Sequence, residues 1–162
     1  MGADIYIRSL SDAGHAKYSK KFDEAVMLRD KAQTAEEREA AQKLVSKYYE
    51  KMYARGYFRD SYNATSLFWI LGLSWWNDTG NELDEEGRLS VAGCKKLLAE
   101  VKGRAVPSVK QVASYLAGQN AAVDDGENSP AEWRKFFVNK RRRFIRFLEK
   151  AIELNEGLDC SI

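Results

Sequence analysis

The chain has 162 residues, 44% of them hydrophobic, and 26 Lys and Arg against 24 Asp and Glu, a net charge of +2. That length suits one domain with a real core, and the balanced charge excludes whole-molecule attraction to nucleic acid, so only a local patch can carry such a role. One histidine and two distant cysteines exclude a zinc framework or disulfide scaffold, and His15 has no nucleophile beside it for a Ser-His or Cys-His site.

Residues 4–8, DIYIR, alternate and read as one short strand. Ser11 or Asp12 caps a following helix to about residue 32, with Tyr18, Phe22, Ala25 and Val26 near one face. Thr34 with Glu37 three residues on is a capping box that restarts a helix. Its stripe is Ala41, Leu44, Val45, Tyr48, Tyr49, Met52 and Tyr53, with Arg55 in the last turn and Gly56 suited to the left-handed position after it. The two helices form an antiparallel hairpin most simply; one long helix through Gln33 is the alternative.

Residues 57–76, YFRDSYNATSLFWILGLSWW, hold three of the four tryptophans. Residues 61–63 read as a turn or cap and residues 65–71 as a short buried helix ended by Gly72. The acidic stretch 77–90 places Glu82, Asp84 and Glu86 at positions one, three and five of a calcium loop, but position one should be Asp, and the twelfth position, normally a bidentate Glu, is Gly93. It therefore reads as a polar turn leading to a helix capped by Ser90.

That helix turns Val91, Cys94, Leu97, Leu98 and Val101 inward, Cys94 as a buried small hydrophobe. Pro107 and Ser108 start another, with Val109, Val112, Ala113 and Leu116 inward. Residues 119–129 read as a mobile acidic loop. Ser129, Pro130 and Glu132 open the last helix with a second capping box; it runs to about residue 155. Residues 157–162 read as a tail with Cys160 exposed.

The apolar stripe of the last helix runs through Trp133, Phe136, Phe137, Phe144, Phe147, Leu148, Ala151 and Ile152, but is interrupted by Lys140 and Arg141. Either these long side chains cross the core edge and put their charges in water, or one points inward to a carboxylate, because a buried unpaired charge is too costly. Asp60 and Asp4 are the carboxylates nearest to apolar sequence, so Asp4, Arg59, Asp60, Asn63 and Arg141 would then form one polar cluster: a pocket or a purely structural network.

Two candidate surfaces result. Arg59, Asp60, Tyr62, Asn63, Trp75 and Trp76 lie where aromatic sequence turns polar, the composition of a protein-binding hot spot, with a nucleotide or sugar pocket around Asp60 as a variant. Lys140, Arg141, Arg142, Arg143 and Arg146 are the alternative, a phosphate-contacting face for nucleic acid, although on a helix they spread around more than half the circumference. No catalytic residue, metal or cofactor is expected.

The combination of residues 1–6 (MGADIY), 57–63 (YFRDSYN) and 73–76 (LSWW) resembles a group of small phage and bacterial proteins to which no activity is attached. The resemblance spans most of the chain and implies only a context, that of mobile-element accessory proteins, which often act by binding another protein, as a phage-encoded modulator of a host system does. The expected fold is a mainly α, single-domain bundle of five or six helices over residues 1–162, with at most one or two short strands near the N-terminus. No apolar run approaches the roughly 20 residues of a membrane span, and no basic segment followed by a long apolar run opens the chain. A cytoplasmic protein with a protein partner, or nucleic acid in its place, is the expectation.

Overall fold

The structure is a computed structural model that describes residues 2–53, 56–119 and 129–162. It is mainly helical, and it also holds a sheet of four short strands in the order β2-β1-β4-β3. The strands are β1 (Gly2–Tyr6), β2 (Tyr57–Ser61), β3 (Arg88–Leu89) and β4 (Leu158–Ser161). The chain forms two compact units, one of residues 6–57 and one of residues 1–5 with 58–162.

The first of these is a hairpin of α1 (Arg8–Lys31) and α2 (Ala35–Tyr53), as the capping box at Thr34 anticipates. Glu37 N donates to Thr34 Oγ1 at 3.1 Å and Thr34 N to the Glu37 carboxylate at 3.2 Å, so both orphan amides are satisfied where the chain reverses. One helix assignment differs from expectation: α1 starts at Arg8 rather than after Ser11, and Ser11 is buried within it. At Gly56 a Cβ would lie 2.5 Å from Ser11 N, so close backbone approach excludes a side chain. Arg55 and most of the expected 119–129 loop lie outside the described residues.

Small residues set how the hairpin closes. A Cβ on Gly14 would sit 2.2 Å from the Met52 carbonyl oxygen, and Ala25, Ala41 and Val45 fill the rest of the seam. Beside it runs a chain of rings, Phe22, Tyr49, Tyr53, Tyr57 and Tyr6, with successive centroids 6.2, 4.7, 5.1 and 5.1 Å apart. His15 meets Tyr53 edge-on at 5.0 Å.

The second unit packs α3 (Leu67–Ile70), α4 (Val91–Gly103) and α5 (Val109–Gly118) on the long α6 (Pro130–Glu153). Phe137, Phe144, Leu148 and Ala151 of α6 are fully buried, opposite Phe68, Val101 and Val112. Ser90, Ser108 and Ser129 cap their helices as expected, the last two through capping boxes. Burial pushes the Cys94 thiol up to about 11.

The expectation of at most one or two strands near the N-terminus fails at both ends of this unit. Residues 57–61, of which the sequence reading assigns only Ser61, to a turn or cap, are β2. The supposed tail is β4, an inner strand paired antiparallel with β3 through Arg88 opposite Asp159 and Leu89 opposite Leu158. Cys160 is accordingly half-buried rather than exposed, and burial, with Cys94 nearby, pushes its thiol up to about 12. The acidic stretch is a turn into β3: Asp84 Oδ1 accepts from Glu86 N at 3.0 Å and Arg88 N at 2.8 Å, and Glu86 pairs with Arg88 at 2.8 Å. Among the described residues no cluster of His, Cys, Asp or Glu is arranged to hold a metal.

Candidate functional site

Asp60 is the polar centre of the second unit. It leaves β2 pointing inward and is 0% exposed. Its Oδ1 accepts from Leu67 N at 2.8 Å and pairs with Lys140 Nζ at 2.6 Å. Its Oδ2 accepts from Ser66 Oγ at 3.0 Å, Phe68 N at 3.1 Å and Trp75 Nε1 at 2.9 Å. The carboxylate thereby holds the free amides at the start of α3, while Ser66 caps the same turn through Trp69 N. Two carboxylate oxygens offer about four lone-pair directions, and five donors use them, so Asp60 has no free acceptor for a substrate proton.

The inward cation is Lys140, not Arg141. Lys140 also donates to the Thr65 carbonyl at 2.9 Å and lies 5.5 Å from the Phe136 ring centroid. Arg141, one residue on, faces the other flank of the stripe and donates to the Val101 and Lys102 carbonyls at 3.1 and 3.0 Å. There it satisfies the orphan carbonyls at the end of α4. The polar cluster expected from sequence therefore divides. Arg59 stays at the surface 3.6 Å from Asp4, and Asn63 turns to its own loop, accepting from Thr65 N at 2.9 Å.

The two adjacent tryptophans also divide, correcting the expectation that both face outward. Trp75 is 1% exposed and stacks on Phe68 at 3.5 Å between centroids, with its indole N–H on Asp60. Trp76 is 61% exposed and lies over Tyr62, 6.5 Å between centroids. Both sit in one π-helical turn, Trp75–Thr79, whose start is fixed by Ser74: its Oγ accepts from Asn77 N at 3.3 Å and its amide donates to Asp78 at 2.6 Å. No protein-family model, characterised protein or solved structure matches this chain.

Tyr62 and Tyr115 carry buried hydroxyls that have no hydrogen-bond partner among the described residues. Burial, with the Asp60 charge, raises both phenols, Tyr115 to about 12, so they stay protonated and can donate but not act as bases. Sequence reasoning missed Ser66, Phe68 and Tyr115 at this centre. Ser66 was legible, since a serine before a short apolar run is a capping signal; Tyr115 is 55 positions from Asp60 in the chain and had no such signal.

Of the five basic residues expected at this face, Lys140, Arg141, Arg142, Arg143 and Arg146, only the last three are exposed, and among the described residues none of those three meets a carboxylate. At 3.6 residues per turn the three fall within an arc of roughly 100°. Removing Lys140 and Arg141 to structural roles thus narrows the basic face from the wide spread read in the sequence.

Proposed function

We propose that the chain is an interaction protein whose second unit docks a protein partner against Trp76, with Tyr62, Arg59 and Asn63 at the edge of the contact. The observation that carries this is the division of the tryptophan pair. Trp75 is locked by stacking and by its bond to Asp60, and the short π turn that follows holds Trp76 out in water. Single π turns recur at functional positions. An aromatic anchor held in place before binding loses little freedom when it binds. Asp60 and Trp75, expected as contact residues, become the support beneath the contact. A phage-encoded or bacterial accessory protein acting on a host component in the cytoplasm fits this mode of action.

The test is recovery of a partner by wild-type chain and by Trp76→Ala, both checked for folding by circular dichroism. Loss of a nuclease-resistant partner only in the folded Trp76→Ala chain supports the proposal. Equal recovery by both refutes it.

A second reading rests on the exposed Arg142, Arg143 and Arg146 of α6, which meet no carboxylate among the described residues and suit phosphates. It predicts nucleic-acid affinity that falls steeply with salt, with a smaller slope once Arg142, Arg143 and Arg146 are replaced by Gln. Affinity unchanged by those substitutions would remove it.

A further inference from the structure

The hairpin holds a cavity of about 390 Å³ that the reading above does not use. Its apolar wall is Leu10, Ala13 and Met52, with the bare backbone of Gly14 where the two helices touch. Its polar part is Tyr18 with Lys17 and Lys51, whose ammonium groups lie 5.5 and 5.6 Å from the Tyr18 ring centroid. That is cation–π range, so one ring gathers two positive charges from two helices. Among the described residues no Asp or Glu lines the cavity, and neither lysine meets a carboxylate. Each ammonium has three N–H donors, and the ring takes none of them in a conventional hydrogen bond.

We propose that this cavity binds a small amphiphilic anion, an acyl or aryl chain ending in a carboxylate. The volume lies at the low end of the roughly 300–1,000 Å³ of small-molecule pockets, which favours a short chain over a polymer segment. The apolar wall requires a hydrocarbon part, because a simple inorganic anion would leave Leu10, Ala13 and Met52 uncovered. The two lysines require a negative head and repel a cationic one.

The experiment is NMR titration of the full chain with decanoate, and with decanol, decyltrimethylammonium and inorganic phosphate in parallel. Decanoate should shift the resonances of Gly14, Lys51 and Met52, and the other three probes should bind at least about tenfold more weakly, since a hydrogen bond to a charged group is worth about 1.5–3 kcal/mol. Replacing Lys17 and Lys51 together by Gln should weaken decanoate binding roughly ten- to hundredfold. Ala13→Trp should abolish it by filling the cavity. Should that variant lose helicity, the glutamine pair decides, because both lysines are exposed. Decanol binding as well as decanoate, glutamine variants binding like wild type, shifts mapping away from the cavity, or no decanoate binding would each overturn the proposal.

Discussion

Replacing Asp60 by Asn tests the centre of the second unit with a change of one heavy atom. Every neighbour of that carboxylate is a donor. If the Asn oxygen takes the place of Oδ2, its NH₂ group faces Leu67 N and Lys140 Nζ, formerly at 2.8 and 2.6 Å. If the amide flips, the NH₂ group faces Ser66, Phe68 and Trp75 donors instead, and the Lys140 ammonium still lacks a counter-charge. Removing one partner of a buried ion pair costs about 3–5 kcal/mol. The Lys140 side chain is 11% exposed and can tilt toward water, which favours the lower figure. The orphaned Leu67 amide adds about 1–3 kcal/mol. The sum, about 4–6 kcal/mol, is a large share of a typical domain stability of about 5–15 kcal/mol. Urea unfolding followed by tryptophan fluorescence and by circular dichroism measures it. Lys140→Met should cost less, about 1.5–3 kcal/mol, because four neutral donors still hydrogen-bond the carboxylate and take the place of water around its charge. An Asp60→Asn loss below about 1 kcal/mol, or a larger loss for Lys140→Met, would refute the reasoning.

Trp75→Ala should destabilise by about 3–5 kcal/mol, as for other large buried side chains, whereas Trp76→Ala should stay within about 0.5 kcal/mol; denaturant titration of both variants compares them directly. Gly14→Ala should cost about 1–3 kcal/mol in a thermal melt, because its Cβ would collide with the Met52 backbone rather than with a movable side chain. Stability should fall on the alkaline side. Cys94, Cys160 and Tyr115 keep their protons in the folded state up to about 11, 12 and 12, against ordinary values of 9.0, 9.0 and 10.0. The unfolded chain therefore holds fewer protons from about pH 9 upward, and ΔG of unfolding must decline through that window. Melts from pH 7 to pH 11 should show the decline, and Cys160→Ser should reduce it.

The helices were legible where a cap and a stripe agreed, as at Thr34, Ser90 and Ser129. The inward cation was legible as one of two readings of the break in the apolar stripe of α6, with Asp60 and Asp4 as its candidate partners. Which of Lys140 and Arg141 turned inward was not, because the two flank the stripe on opposite sides, and the neighbours, α3 on one flank and the end of α4 on the other, are a tertiary matter. The tryptophan pair failed for a similar reason: adjacent helical residues diverge by about 100°, and only the Asp60 acceptor decides which one is buried. β3 and β4 are two and four residues long, too short for alternation to register. Their identity lies in partners on distant segments.

The strand order also sets a schedule for folding. β4 lies beside β1 and β3, not beside β2, so the seat of the first strand is completed only by residues 158–161. During synthesis the α1–α2 hairpin, built from local contacts, can close while most of the chain is still absent. β1 must wait for residues 158–161 to emerge before its inner edge is covered. Such long-range closure slows folding and leaves a strand edge open to other chains in the meantime. A chaperone, or a second copy of the protein, would find its opening in that interval.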